Sequence, residues 1–251
     1  MPQKITTDGI IIKETNIGEF DKVVTVLTRK LGIIRAFVTN ARKITNKNFS
    51  ASGLLCYGTY TFYETRDAYR ISESEPREMF FELRQDIEKL AVAQYLCEVC
   101  SYYAPKEESA EDFLRLILNS FHFLSTGKIK PLLIKAITEM RICVLGGYMP
   151  DFSGCADCGE YDADNMFFLI NKGIIKCGGC YTPSESELSF PLNKTVTAVF
   201  RHILYSDFEK LYSFSVPDEY IGNVARISES YIINQTEVKF RTLKFLHSLG
   251  I

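Results

Sequence analysis

The segment LLCYGTYTFYE, residues 54–64, decides the class of the N-terminal part. It alternates. Leu54, Cys56, Tyr60 and Phe62 fall on one face, and Leu55, Tyr57, Thr59, Thr61 and Tyr63 on the other. A period of two in aromatic and β-branched residues predicts a strand over Leu54–Glu64. Outward from it, Ile5–Lys13 is rich in Ile and Thr, and Val23–Thr28 follows a turn at Asn16–Gly18. Gly32–Thr39 is again β-branched and aromatic, and Tyr69–Ser72 is a short fifth run. Gly9, Gly18, Gly32, Gly53 and Gly58 punctuate these runs as turns or bulges do. Five short strands in so little chain predict a small closed barrel, with the OB-fold the leading candidate, over residues 1–78. The loop Asn40–Ser52 is long, polar and basic, a place where binding function concentrates.

From about residue 77 the period becomes helical. Phe80, Leu83, Ile87, Leu90, Ala93, Leu96, Cys97 and Cys100 recur at steps of three and four, which predicts one amphipathic helix to about Tyr103. Pro105 breaks it. Further helices are expected at about Glu108–Ser125, Pro131–Val144, Asn193–Ser206, Pro217–Asn234 and Thr236–Ser248, with Asn193 and Thr236 as N-caps. The whole reads as an α+β chain: a five-stranded barrel, then an α-helical domain over residues 79–251 enclosing a four-cysteine module at about 150–182.

Charge is uneven. The chain carries 29 basic and 31 acidic side chains, a formal net charge of -2. That total excludes nothing and hides a polarity. No acid lies between Asp21 and Glu64, a stretch that holds Lys22, Arg29, Lys30, Arg35, Arg42, Lys43 and Lys47. Such a run attracts phosphate and makes these seven the candidate nucleic-acid contacts, unless acids distant in sequence cover them in space. Tyr57, Tyr63 and Tyr69 either stack bases or fill the barrel. Residues 151–190 instead hold two basic and seven acidic side chains. That lobe should repel nucleic acid. The N-terminal apolar run, Ile10–Ile12, is too short for a signal-peptide core, and no run reaches membrane-spanning length, so a cytoplasmic protein is expected.

Eight cysteines in such a chain argue against a disulfide framework. Cys155-Ala-Asp-Cys158-Gly159 is followed, after 18 residues intervening between Cys158 and Cys177, by Cys177-Gly-Gly-Cys180. Two C-x2-C pairs at this spacing predict a four-thiolate tetrahedral Zn²⁺ site, with Met166–Ile170 and the turn Asn171–Gly173 forming a ribbon hairpin between them. Four cysteines leave no open coordination position, so the ion is structural. Cys97-x2-Cys100, Cys56 and Cys143 read as buried apolar residues. Catalytic patterns are missing. His122, His202 and His247 are scattered, Gly127-Lys128 fails the phosphate-loop pattern at His122, five residues before the Gly, and at Ile129, and no nucleophile–base motif occurs.

The chain resembles the RecO family of bacterial DNA-repair and recombination-mediator proteins. The resemblance rests on Thr7–Ile12, Glu19-Phe20-Asp21, Leu27-Thr28 and Gly32. Its most specific part is Arg141 with Gly146-Gly147-Tyr148-Met149-Pro150 running into Cys155-x2-Cys158-Gly159. Phe167-Phe168, Lys176 to Cys180, and Lys239–Leu246 complete it. One stretch departs. Where the family has a Lys-Gly-Ala-Arg-like turn, this chain has Thr39-Asn40-Ala41-Arg42-Lys43, with Asn40 able to take a positive φ in place of Gly.

The resemblance implies a non-enzymatic protein. It would bind single- and double-stranded DNA, promote annealing, and work with RecR and single-stranded-DNA-binding protein to load RecA at gaps. An acidic partner tail would need an apolar groove rimmed by cations. The helix with Lys130, Lys135 and Arg141, or the last helix with Lys239, Arg241 and Lys244, supplies them. The alternative from the residues alone is a zinc-ribbon interaction scaffold that touches no nucleic acid.

Overall fold

The structure, a computed structural model, describes residues 4–65, 68–236 and 238–250. Five strands form the barrel: β1 (Lys4–Ile17), β2 (Asp21–Thr28), β3 (Gly32–Val38), β4 (Tyr57–Glu64) and β5 (Tyr69–Glu78). They close in the order β1-β2-β3-β5-β4. All pairings are antiparallel except β3 with β5, where Ala36 faces Tyr69 and Phe37 faces Arg70. This is the OB-like barrel that the alternation and turn spacing predicted.

The Ile10–Ile12 run shows why both faces of β1 are apolar. Successive side chains point to opposite faces of a strand. Ile11 joins Val24, Val26, Ile34, Tyr60 and Phe62 inside the barrel. Ile10 and Ile12 join Leu27, Ile33 and Leu55 in the core shared with the helices. The register slips between Ile11 and Lys13, a bulge that lets the strand continue to Ile17, four residues past its expected end.

Two strand expectations need correction. β4 begins at Tyr57, not Leu54. Leu55 takes φ 61, a left-handed turn that a strand cannot contain, and its N–H donates to the Ile11 carbonyl at 2.8 Å. The turn drives Leu55 into the helical core, which outweighs the strain of its backbone. β5 runs to Glu78, beyond the expected Ser72, because its whole length pairs with β4.

The helices are α1 (Phe81–Arg84), α2 (Ile87–Tyr103), α3 (Glu111–Thr126), α4 (Pro131–Leu145), α5 (Lys194–Tyr205), α6 (Asp218–Thr236) and α7 (Arg241–Ser248). The first expected helix is therefore two. Asp86 interrupts it, taking an extended conformation and accepting from the N–H groups of Glu88 and Lys89. Asn193 caps α5 as expected, its side chain accepting from Val196 N–H at 2.9 Å. Thr236 is not an N-cap; it ends α6, its hydroxyl donating to the Ile232 carbonyl at 2.8 Å. The cap of α7 comes from another element: the Glu98 carboxylate on α2 accepts from the N–H groups of Arg241 and Thr242.

Barrel and helices are locked by backbone. Ile33 N–H donates to Pro105 O at 2.8 Å, Glu107 N–H to Leu31 O at 3.0 Å, and Ala110 N–H to Arg29 O at 3.0 Å. The α2–α3 connection thus lies along the β2–β3 turn. Gly32 is required there: at φ +61, a Cβ would sit 2.0 Å from the Pro105 carbonyl oxygen.

Between α4 and α5 lies a three-stranded sheet, β6 (Asn165–Leu169), β7 (Ile174–Cys177) and β8 (Ser189–Asn193), in the order β7-β6-β8. β6 and β7 are the expected ribbon hairpin. β8 carries Pro191 and sits at the sheet edge, where a missing N–H is tolerated. Phe152, Phe168 and Phe200 cluster at centroid distances of 4.8–6.4 Å, which binds the module to α5. Arg201 donates to the carbonyls of Phe152 and Tyr161 and reinforces that contact.

Candidate nucleic-acid interface and metal centre

The four cysteines meet. The sulfurs of Cys155, Cys158, Cys177 and Cys180 lie within 4.8 Å of one another. A tetrahedral ion bound at ~2.3 Å per thiolate separates its sulfurs by ~3.8 Å. Cys158 and Cys177 stand 3.7 Å apart. The donor set therefore fits a metal ion, and four thiolates close its coordination sphere. Each knuckle is a tight turn: Gly159 N–H donates to Cys155 O at 2.8 Å with Gly159 at φ 76, and Cys180 N–H donates to Cys177 O at 3.0 Å. Burial raises the Cys155 thiol, but backbone N–H donors from Cys177, Cys158 and Asp157 outweigh it and bring it down to about 6. Those dipoles favour thiolate, the form a metal needs. Cys155 and Cys177 are buried while Cys158 is exposed. Cys155, Cys177 and Phe168 belong to one continuous core with α2 to α7, so the module is part of the helical body.

The remaining thiols are packed. Cys56, Cys97, Cys100 and Cys143 are buried. Burial pushes the Cys143 thiol up to about 12 and raises Cys97 and Cys100 further. The histidines do not converge. His202 contacts the Lys210 carbonyl at 3.0 Å, His247 the Glu229 carboxylate at 2.8 Å, and His122 lies beside Phe123.

The seven candidate DNA contacts divide into two sets. Carboxylates remote in sequence but near in space hold three of them. Lys22 meets Glu14 at 2.8 Å, Arg29 lies between Asp8 and Glu111 at 3.4 and 3.7 Å, and Lys47 stands 4.0 Å from Glu73. The other four, Lys30, Arg35, Arg42 and Lys43, are exposed and have no ion-pair partner among the described residues. Lys30 donates to the Thr6 carbonyl at 3.1 Å, and Arg42 donates to the Glu19 carbonyl at 2.9 Å.

The loop that bears Arg42 and Lys43 is held in place. Asn40 has φ 53, the conformation expected of it, and its N–H donates to Asp21 Oδ1 at 2.7 Å. Arg42 N–H donates to Phe20 O at 3.0 Å. Farther on, the buried Tyr60 hydroxyl, within the barrel core, shares its hydrogen between the carbonyls of Ala51 and Cys56. The loop is thereby laced to the β1–β2 turn, and Lys43 Nζ lies 4.5 Å over the Phe20 ring.

Exposed aromatics accompany these cations. Phe20 is 38% and Phe37 40% exposed. Phe37 shares the outer face of β3 with Arg35, two residues back, and Arg70 of β5 is its register partner. The tyrosines are placed differently. Tyr57 packs on the helical core and Tyr69 on the barrel core, edge-on to Phe62 at 6.2 Å. Tyr63 is half-buried. The exposed rings beside these cations are thus phenylalanines, which the sequence reading did not single out, while the named tyrosines are half-buried. The signal was present: in Arg35-Ala-Phe37-Val38, alternation puts Arg35 and Phe37 on one face.

Of the candidate docking residues, two carry their charge inside. Lys135 is 1% exposed and lies between Glu139 at 2.9 Å and Glu229 at 2.7 Å. Arg141 donates to the carbonyls of Ile203, Leu204 and Ser206 at the end of α5. Neither can rim a surface groove, which corrects that expectation. Lys130 pairs with Asp218 at 2.6 Å, while Lys239, Arg241 and Lys244 are exposed.

Comparison with known proteins then decides the family. Residues 1–80 match the model of recombination protein O, N terminal, and residues 84–244 match recombination protein O, C terminal. The chain belongs to the RecO family. Relatives support this along the whole length. A protein of Acetivibrio thermocellus described as DNA repair protein RecO is 28% identical over 245 residues, covering 98% of this chain and 97% of that protein. Another of that description, from Caldicellulosiruptor bescii, is 31% identical over 237 residues, covering 94% and 95%. In this RecO-family chain both family segments thus coincide with structural units, the first with the barrel and the second with the helices and the cysteine module. Among the described residues no helix is long and apolar enough to cross a membrane.

Proposed function

We propose that this RecO-family chain is a cytoplasmic, non-enzymatic mediator of DNA repair and recombination. It binds single- and double-stranded DNA on its barrel and promotes annealing of complementary strands. With RecR and single-stranded-DNA-binding protein it helps load RecA at gaps. Family membership supports the repair role, and one local observation carries the DNA reading. Arg35, Arg42 and Lys43 are exposed, have no carboxylate partner among the described residues, and flank the exposed rings of Phe37 and Phe20. Cations that hold phosphates beside aromatics that stack bases are what sequence-tolerant strand binding needs.

In this reading Arg35, Arg42, Lys43 and Lys30 make the principal phosphate contacts. Lys22, Arg29 and Lys47, already held by carboxylates, flank them. Zn²⁺ is the ion suited to Cys155, Cys158, Cys177 and Cys180, and it acts as a structural clasp between the module's two knuckles. Exposed Lys239, Arg241 and Lys244 remain available for partner docking.

The test mixes labelled complementary strands with the protein at two salt concentrations and scores binding, annealing and scission. Salt-sensitive binding with annealing and no scission is expected. Absence of binding at low salt would leave the scaffold alternative, and scission would replace the non-enzymatic reading.

A further inference from the structure

Beside Arg35 and Phe37 the barrel seam opens into a cleft of about 440 Å³. β3 and β5 pair at only two positions, Ala36 with Tyr69 and Phe37 with Arg70. The flank of β3 at Ile33–Arg35 therefore faces the β4–β5 turn and the α2–α3 connection across a gap. Buried Ile33 and Ile34 give the cleft an apolar wall, and two rings, exposed Phe37 and half-buried Tyr69, also line it. Its volume lies within the range of small-ligand sites, roughly 300–1,000 Å³.

Four charged side chains border it, two of each sign: Arg35, Lys106, Glu64 and Glu107. All four are exposed, and none forms an ion pair among the described residues. Opposite charges gather around one cleft without pairing, so its donors and its acceptors both stay free. Glu107 is held there at φ 62, a left-handed conformation that a non-glycine residue keeps only when its surroundings impose it. Its N–H donates to the Leu31 carbonyl at 3.0 Å. Burial, and then the carboxylates of Glu64 and Glu107, raise the Tyr69 phenol, so both carboxylates act on one ring hydroxyl.

Balanced charge gives no net grip on phosphate, which Arg42 and Lys43 attract outside the cleft. Rings, an apolar wall and free groups of both kinds suit a flat, neutral ligand whose edge carries donors and acceptors. A nucleobase has that chemistry, and only an unpaired base leaves its Watson–Crick edge open to side chains. We infer that the cleft takes one unpaired base of the bound strand and favours a base with an exocyclic amino group. The inference rests on the barrel reading proposed above and names the part of the strand that this site reads. The base lies against Phe37 and Tyr69, its amino group donating to Glu64 or Glu107 and a ring acceptor facing Lys106. Arg35 keeps the adjoining phosphate. Thymine carries a carbonyl where cytosine carries the amine, and it meets a carboxylate badly. The rest of the strand is held by phosphate and stays sequence-tolerant. A base leaves the cleft when it pairs, so the site grips single strands and yields to the annealed duplex.

Anisotropy titration of the full chain with oligo-dC and oligo-dT of equal length, in neutral buffer, tests it. Oligo-dC should bind about threefold to tenfold more tightly. Glu64→Gln/Glu107→Gln should erase that preference, because an amide serves either base, while the salt slope stays unchanged. Circular dichroism should show the variant folded. A single 2-aminopurine in the strand should be quenched by the unaltered chain at saturation, and less so by the variant. Equal binding of the two oligomers, a preference that survives the double substitution, or an unquenched 2-aminopurine would overturn the inference. Free deoxycytidine competing as well as the oligomer would make the cleft a nucleoside pocket and overturn it too. If binding and its salt slope persist without base preference, this inference alone falls. If no DNA binds, the barrel reading falls with it.

Discussion

Lys135 shows how far a residue's role can lie from its formal charge. It is fully buried, and one helical turn along α4 Glu139 is as deeply buried. Burial alone would raise the Glu139 carboxyl and lower the Lys135 amine, yet each meets the other at 2.9 Å. Glu139 also accepts from Tyr95 and Ser228 at 2.6 Å each, which satisfies both carboxylate oxygens. Breaking such a network costs more than replacing it. Lys135→Met should destabilise the fold by about 3–5 kcal/mol in urea titration, because it strands a buried carboxylate. Adding Glu139→Leu should recover much of that loss.

At the interface the two kinds of side chain predict different signatures. Arg42→Ala/Lys43→Ala should reduce the slope of log affinity against log salt for single-stranded DNA by about 1.4, from about 0.7 per lost phosphate contact. Phe37→Ala should weaken binding by about 1–3 kcal/mol with the slope unchanged, because stacking releases no counterions. Fluorescence anisotropy across a salt series separates them. An unchanged slope in the double variant would falsify the phosphate assignment.

Among the elements, the cysteine module is the one whose stability, in the proposed reading, rests on a bound ion. β7 has four residues and β6 five, and three such short strands do not hold a fold by themselves. The thiolate cluster at one end and the Phe152–Phe168–Phe200 contact at the other hold it. Chelation, or Cys155→Ser, should therefore lower the melting temperature and reduce the helical signal as α5 loses its packing. DNA affinity should stay within about twofold, since the barrel keeps its own core. A melt unaffected by chelator would remove the structural role. The same scale explains α7. Its own sequence offers no capping side chain, so it docks where Glu98 of α2 supplies one.

Over the whole molecule, barrel and helices behave as one body because backbone joins them. The Gly32 position tests this. Gly32→Val would place a Cβ 2.0 Å from the Pro105 carbonyl and strain a positive φ. It should cost about 2–4 kcal/mol and expose the face of Ile10, Leu27 and Ile33. Thermal unfolding should then split into separate barrel and helical transitions.

Charge also resolves only at this scale. The net of -2 conceals the polarity already legible in the sequence, basic over residues 22–63 and acidic over 151–190. Folding then trims the basic side, as Glu14, Asp8, Glu111 and Glu73 arrive to cover Lys22, Arg29 and Lys47.

The sequence by itself determined whatever local periodicity and spacing encode. Alternation and turn glycines announce the barrel, three- and four-residue steps announce the helices, and two C-x2-C pairs announce the cluster of four thiols. Asn40 was legible too, because Asn tolerates a positive φ better than most residues. Only the tertiary structure decided which cations stay free, that Lys135 and Arg141 lie inside, that Leu55 turns out of its strand, and that Glu98 caps a distant helix. Each of those outcomes depends on groups far apart in the chain. Electrostatic pairing, burial and through-space capping act on distance in space, and sequence separation carries no record of it.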